Sequence, residues 1–338
     1  MATESSPTVK AVFMGSDSIA IPFLEDWLQT GNGGPRLTGI ITRPDRPSGR
    51  GKRVLPNTIK SWALDHGLEV VQPENPSKEL PDIVSHNQWD IAIVMAYGHI
   101  LSKTLLSGFR KGCFNLHASL LPALRGPSPI ETSIAIGLQQ TGVTLMEMVA
   151  RLDAGPIVDQ EPCPIESNTT GPSLRSALSK ACIPLMRRNL SKLTDHSYQL
   201  VEQNESLASY CRMLTKADAH LDFSLPAATL IQRIRAFQGW PGAVFELGGT
   251  TYKIGHAELW NAPENPAPSS THGTLVSNSR SIWLRAADEW ISILSIQKPG
   301  SKMLSTEEFL RGNALPDSAT LPFPTACSLI DSKPMRTR

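Results

Sequence analysis

The chain has 338 residues, of which 40% are hydrophobic and 19% charged, and a formal net charge of +1 at pH 7. This length allows about two domains, and the near-zero charge excludes a general attraction to nucleic acid, so that any RNA binding must come from local basic segments. Five scattered cysteines without metal-ligand spacing, no membrane-length apolar run and no signal-type or transit-type N-terminus predict a cytoplasmic protein with no metal site and no membrane contact.

The N-terminal half alternates short apolar runs with amphipathic stretches, which is typical of a doubly wound α/β sheet of mostly parallel strands. The predicted strands lie at 9–14, 37–42, 69–72 and 90–95. One predicted helix ends near residue 30, and two others cover 57–66 and 78–87. The last of these strands (DIAIVM) is almost entirely apolar, as expected for a central strand that is buried on both faces. Gly15 follows the first strand, but because G-x-G-x-x-G is absent it does not indicate a dinucleotide site.

A basic segment follows the second predicted strand and reads RPDRPSGRGKR from Arg43 to Arg53. It holds five cations and one acid, and its prolines and glycines exclude a helix interior. It is not a P-loop, because Lys52 is followed by arginine rather than by serine or threonine. Such a segment suits a phosphate backbone, although a solvated surface loop would have the same composition.

Residues 112–126 (GCFNLHASLLPALRG) carry the most informative motif in the chain. Asn115 and His117 alternate with apolar residues, so that in a strand both side chains lie on one face. The strand then ends in a loop, and the carboxyl ends of strands are where parallel sheets bind ligands. The pattern predicts a site that combines an amide with an imidazole. The alternative is a pair of polar groups that cap a buried strand.

Asp153 lies in a small-residue turn between two predicted antiparallel strands at 141–149 and 155–165. It is the expected third member of the site. Asparagine, histidine and aspartate without a neighbouring nucleophile favour proton transfer and oxyanion stabilisation over covalent catalysis. Cys113 is a weak candidate nucleophile, because it precedes Asn115 by two residues and would share its face of the strand.

The C-terminal part begins after a polar stretch that predicts a linker. A helix is expected at 224–237, and five short alternating segments between 243 and 297 predict a small Greek-key barrel, a fold that commonly binds nucleic acid. The predicted organisation is a flexible N-terminus (1–8), a catalytic domain (9–190), a linker (191–209), a nucleic-acid-binding domain (210–312) and a loosely ordered tail (313–338).

These motifs closely resemble the folate-dependent formyltransferase family, and within it the enzymes that act on methionyl-tRNA. The resemblance runs from about Val9 to Gly312 and rests on Asn115–Pro122 (NLHASLLP), Arg125-Gly126, Pro129-Ile130 and Asp153–Gly155 (DAG). It implies a Rossmann-like catalytic domain of the formyltransferase fold, followed by an OB-like β-barrel. It also implies formyl transfer from 10-formyltetrahydrofolate to the α-amine of initiator methionyl-tRNA. A monomer is the default expectation.

The resemblance also implies a role for each candidate residue. Asn115 and His117 would stabilise the tetrahedral oxyanion, and Asp153 would take part in proton transfer. The expected folate-binding residues are Tyr97, Gly98, Ser119, Leu120, Leu121 and Pro122. The expected tRNA-binding residues are Arg43, Arg46, Arg50, Lys52 and Arg53, among which Arg50 matches the family's key arginine.

Two other classes of function stay open. One is a different enzyme that uses 10-formyltetrahydrofolate: a sugar-nucleotide formyltransferase, a glycinamide ribonucleotide formyltransferase or a formyl-folate hydrolase. None of these would explain a basic segment together with a C-terminal barrel. The other is a non-enzymatic RNA-binding protein on the same scaffold, which is disfavoured because Asn115, His117 and Asp153 are all present.

Overall fold

A computed structural model describes residues 8–31, 33–48, 53–260 and 271–333. By their contacts the residues fall into two compact units. Unit 1 comprises 1–127, 140–164 and 175–210, and unit 2 comprises 128–139, 165–174 and 211–338. Each unit is built on a seven-stranded sheet.

The strands and helices follow one another along the described chain. The strands are β1 (Lys10–Met14), β2 (Arg36–Ile41), β3 (Arg46–Ser48), β4 (Arg53–Leu55), β5 (Glu69–Val71), β6 (Ile91–Val94), β7 (Cys113–His117), β8 (Gln140–Glu147), β9 (Ile157–Pro164), β10 (Tyr210–Cys211), β11 (Ala243–Leu247), β12 (Thr250–Leu259), β13 (Thr274–Ser277), β14 (Ile282–Arg285), β15 (Trp290–Gln297), β16 (Leu304–Ser305), β17 (Ser318–Thr320) and β18 (Ile330–Asp331). The α-helices are α1 (Ile21–Thr30), α2 (Thr58–Asp65), α3 (Pro76–Asn87), α4 (Lys103–Ser107), α5 (Pro129–Ala135), α6 (Gly171–Arg187), α7 (Leu190–Asp195), α8 (Ala227–Ala236) and α9 (Thr306–Gly312).

The sheet of unit 1 has the strand order β5-β2-β1-β6-β7-β8-β9. The first five strands in this order pair in parallel, whereas β8 pairs antiparallel with β7 and with β9. The predicted Rossmann-like, mostly parallel sheet is therefore confirmed. Every residue of β6 is buried, as its apolar sequence predicts for a central strand.

The register of β7 and β8 determines where the β8–β9 connection begins. Phe114 pairs with Glu147, and His117 pairs with Thr144, so β8 ends beside the start of β7. The connection at 148–156 must therefore fold back along β7 to bring Asp153 near His117. Strand pairing alone does not fix this turn, and other contacts have to hold it.

The sheet of unit 2 is antiparallel, with the order β11-β12-β15-β14-β13-β17 and with β16 paired to β15. The five segments that predict a small OB-like barrel are found as β11 to β15 of this sheet, and β16 and β17 add two further strands. Leu230 and Ile234 of α8 pack into the same hydrophobic core as the sheet. This helix begins three residues later than its sequence suggests, because Pro226 takes the N-cap position.

The segment predicted as a linker, 191–209, and the described part of the predicted tail, 313–333, both contain buried side chains. Residues 191–209 lie with unit 1 and include the buried side chain of Gln203. In unit 2, β17 pairs with β13, and Leu321 and Leu329 are buried. None of the helices in the described ranges is long and apolar enough to cross a lipid bilayer.

Candidate active site

Asn115 and His117 stand on one face of β7, since side chains two residues apart in a strand point the same way. Asn115 is half-buried, and its amide makes no hydrogen bond with any other residue in the described part of the chain. An amide that is positioned by a central strand and left without a protein partner can bind a ligand oxygen. The predicted pairing of these two residues on one face is therefore found.

His117 is buried, and its Nε2 lies 3.0 Å from the carbonyl oxygen of Leu124. A carbonyl can only accept, so we assign the proton of the neutral imidazole to Nε2. Nδ1 faces Oδ2 of Asp153 at 3.7 Å, which exceeds a hydrogen-bonding distance. Nδ1 is therefore the ring nitrogen that can contact a substrate.

Asp153 occupies the turn that folds back from β8, with a φ of 46°. This left-handed conformation is uncommon outside glycine. Its Oδ2 accepts a hydrogen bond from the backbone N–H of Gly126 at 2.8 Å and also faces His117. The structure thus brings together the imidazole and the carboxylate that the sequence placed in one site, with the amide of Asn115 on the same strand.

Cys113, the weak candidate nucleophile, is buried at the start of β7. Burial, and to a smaller extent the Glu147 carboxylate, raise the pKa of its thiol far above the ordinary value. Because the thiolate is the nucleophilic form, this cysteine is poorly suited to covalent catalysis.

The six expected folate-binding residues form two groups in unit 1. Tyr97 is buried and Gly98 follows it with a φ of 74°; burial raises the pKa of Tyr97 to about 12. The second group, residues 119–122, is the loop after β7. Its Leu121 N–H donates to Thr144 Oγ1, and its Ser119 hydroxyl donates to the Ala123 carbonyl. These hydrogen bonds shape the loop. The contact of the six residues with folate stays a prediction.

The basic segment is described at both of its ends. β3 and β4 pair antiparallel, and Arg43 and Arg46 are exposed. Arg43 Nε donates to the Tyr97 carbonyl at 2.9 Å, so this arginine contacts one of the expected folate-lining residues. Arg50, Lys52 and the side chain of Arg53 lie outside the described residues.

A cavity of about 430 Å³ opens in unit 1 beside the start of β7. Its lining combines apolar and aromatic side chains with three cations, and it includes Leu106, Phe109, Cys113, Met148, His196 and Tyr198. Cys113 shares its strand face with Asn115 and His117. The sequence alone does not reveal this cavity, because its walls come from three separate segments, 103–113, 147–150 and 196–198.

Two family models match most of the chain. The formyl transferase model matches residues 10–188, and the model of the formyl transferase C-terminal domain matches residues 213–314. The chain belongs to the formyl transferase family. The family predicted from the motifs is thus confirmed, and so is 10-formyltetrahydrofolate as its formyl donor.

Several solved structures share the fold of this chain. WlaRD, a sugar 3N-formyl transferase crystallised with dTDP and 5-N-formyl-THF, has a TM-score of 0.63 and 20% identity over 88% of this chain and 100% of its own. An N-formyltransferase from Helicobacter canadensis, crystallised with folinic acid and dTDP-3-aminofucose, has a TM-score of 0.63 and 20% identity, over 86% of this chain and 100% of its own. HypX from Aquifex aeolicus, crystallised with tetrahydrofolic acid, has a TM-score of 0.58 and 14% identity, over 89% of this chain and 47% of its own.

The carboxylate of Asp153 can be tested by replacement with the amide of the same shape. In Asp153→Asn the side chain can still accept from Gly126 but carries no charge toward His117. We expect kcat for formyl transfer to fall by about 10² to 10⁴, the range for loss of acid–base assistance, with an unchanged melting temperature. Asp65→Asn, at an exposed aspartate of α2, is the matched control and should keep full activity. Near-normal turnover of Asp153→Asn would remove this residue from the site.

Proposed function

We propose that this protein transfers the formyl group of 10-formyltetrahydrofolate to the α-amine of methionyl-tRNA. The observation that carries the proposal is that the His117 imidazole faces the Asp153 carboxylate, on the strand that also carries Asn115, whose amide has no hydrogen-bond partner among the described residues. The cytoplasm is the compartment that we propose for this function.

The chemistry follows from these three groups. The neutral amine attacks the formyl carbon, and the new C–N bond gives an oxyanion and an ammonium. Asn115 Nδ2 donates to the oxyanion, a type of contact worth about 3 to 4 kcal/mol in other enzymes. When it is an imidazolium, His117 can also donate through Nδ1, because its Nε2–H is already donated to the Leu124 carbonyl.

Asp153 also handles the proton that the reaction must move. The proton leaves the ammonium, passes to Asp153 directly or through water, and is returned to the N10 nitrogen of the folate as the C–N10 bond breaks. Formyl-amine and tetrahydrofolate are the products, and no other reactant is consumed. Positioning of the two substrates can supply a further 7 to 11 kcal/mol or so.

The cavity at the start of β7 is our candidate for the ring system of the donor. Its apolar and aromatic side chains stand beside the charged groups of Lys103, Arg110, Lys111 and Glu147, and small-molecule sites likewise combine apolar walls with some polar groups. β7 spans about 13 Å from Cys113 to His117 at its usual rise per residue. A ring bound beside Cys113 could therefore present its formyl group along the strand toward Asn115 and His117.

The basic segment supports a tRNA acceptor. Its single acid, Asp45, is bonded to Lys60 and Gln72, and these hydrogen bonds hold the pKa of the Asp45 carboxyl below its usual range. Both of these partners of Asp45 lie outside the segment, and the described Arg46 is exposed. In a chain with a net charge of only +1, such a local concentration of cations favours contact with phosphates.

An amino-sugar nucleotide is the second candidate acceptor. It is favoured by the two structural neighbours crystallised with dTDP or with dTDP-3-aminofucose. Their identity of 20% supports a shared fold, and the basic segment has no evident use in binding a single sugar nucleotide. We therefore rank methionyl-tRNA first.

An acceptor assay distinguishes these candidates. The protein is incubated with 10-formyltetrahydrofolate and with initiator methionyl-tRNA, dTDP-3-aminofucose, glycinamide ribonucleotide or water alone, and the release of tetrahydrofolate is followed. We expect turnover with methionyl-tRNA, and we expect its kcat/KM to fall steeply between 50 and 200 mM salt, as phosphate contacts do. Turnover with the amino-sugar nucleotide alone would support the second candidate and contradict the first.

The donor cavity can be filled from α4. Leu106 is half-buried on its wall, and Leu106→Trp would occupy part of the space. We expect the KM for 10-formyltetrahydrofolate to rise at least tenfold or so, while the KM for the acceptor changes little. Leu64→Trp makes the same change at a leucine that is 56% exposed and should leave both values unchanged. An unaltered donor KM in a folded Leu106→Trp protein would exclude this cavity.

A further inference from the structure

Gln203 is a buried glutamine whose side chain joins two parts of the candidate site. Its Nε2 donates to the backbone carbonyls of Asp153 at 2.9 Å and of Gly155 at 2.7 Å. Its Oε1 accepts from Nε and Nη2 of Arg125, at 3.1 and 2.8 Å. All the hydrogen-bonding groups of the amide are therefore in use, two donors and two acceptor positions.

Arg125, the other partner, is fully buried, in spite of its charge. Besides the two bonds to Gln203, its guanidinium donates to both carboxylate oxygens of Glu205 and to the hydroxyl of Tyr210. All five N–H groups thus have acceptors, as a buried guanidinium requires. Arg125 is adjacent to Gly126, whose N–H donates to the carboxylate of Asp153.

The same segment also holds the loop that contacts His117. Ser209 accepts from the Leu124 N–H through its hydroxyl and from the Arg125 N–H through its carbonyl. The Leu124 carbonyl in turn lies 3.0 Å from Nε2 of His117. Residues 203–209 therefore contact the loop behind the imidazole as well as the turn that carries the carboxylate.

The Asp153 turn needs such support. It is not fixed by strand pairing, and Asp153 has a φ of 46°. A residue in this region keeps its conformation only when several surrounding contacts hold it there. The two hydrogen bonds from Gln203 hold the carbonyls on either side of Ala154, and so restrain the backbone that aims the carboxylate.

We propose that Gln203 is a positioning residue that keeps the Asp153 carboxylate opposite His117. The proposal rests on the catalytic role given to Asp153 in the proposed function. Gln203 acts through the turn and touches neither substrate, so its loss should lower kcat and leave both KM values close to those of the wild type.

Two substitutions separate its contacts. Gln203→Met keeps a similar volume and loses all four hydrogen bonds, whereas Gln203→Glu keeps an acceptor for Arg125 and loses both donors to the turn. The control is Asn189→Leu, which removes a buried amide bonded to Asp159 and to the Leu185 carbonyl, away from the Asp153 turn. Activity is measured with whichever acceptor supports turnover, together with the melting temperature.

We expect kcat to fall about 10-fold to 100-fold in both Gln203 variants, as for a catalytic group displaced by about 1 Å. Asn189→Leu should lose melting temperature and keep kcat. In an Asp153→Asn background, Gln203→Met should lower kcat less than about threefold further, because the group it positions is already disabled. A folded Gln203→Met or Gln203→Glu protein with wild-type kcat, or losses that multiply in that background, would overturn the proposal.

A measurement on the wild type alone keeps the proposal testable if the variants do not fold. The side-chain amide protons of Gln203 are donated to two carbonyls, so NMR should find them exchanging with solvent at least about tenfold more slowly than those of the exposed Gln29. Equal exchange rates would overturn the proposal. A wild-type protein that formylates no acceptor would instead contradict the proposed function, and the exchange result would still report on the contacts of Gln203.

Discussion

The candidate site depends on one constraint, which is that a carboxylate on an irregular turn must stay opposite an imidazole on a regular strand. His117 is fixed by β7 and by the Leu124 carbonyl. Asp153 is not held by strand pairing in this way, because β8 ends at the level of Phe114 and the chain folds back from there. Contacts from Gly126 and Gln203 therefore supply what strand pairing does not.

This division also explains what the sequence could predict. Strand β7 follows from alternation, because Asn115 and His117 interrupt an apolar run at a spacing of two. The parallel sheet follows from short apolar runs separated by helices, and the C-terminal sheet from short alternating segments. Asp153 could be found because a small-residue turn after an apolar run places an acid between two predicted strands. These are local patterns, and local patterns are readable from one sequence.

The remaining parts depend on contacts between distant segments. Gln203 lies in a polar stretch that resembles a linker, and nothing in its neighbours signals that it is buried against a turn 50 residues earlier. Arg125 lies in a loop, and its sequence neighbours do not show that it is enclosed by Gln203, Glu205 and Tyr210. The cavity has the same origin, since α4, β7, the end of β8 and residues 196–198 each supply part of its wall. No period or motif encodes such a combination.

The central claim is that His117 and Asp153 act as one unit in formyl transfer. A double-mutant cycle tests this most directly, with kcat/KM measured for the wild type, His117→Ala, Asp153→Ala and the double variant. Residues that act together give strongly non-additive losses. We predict that the double variant loses no more than about tenfold beyond the worse single variant. Losses that multiply would show that the two groups act independently, and would contradict the account.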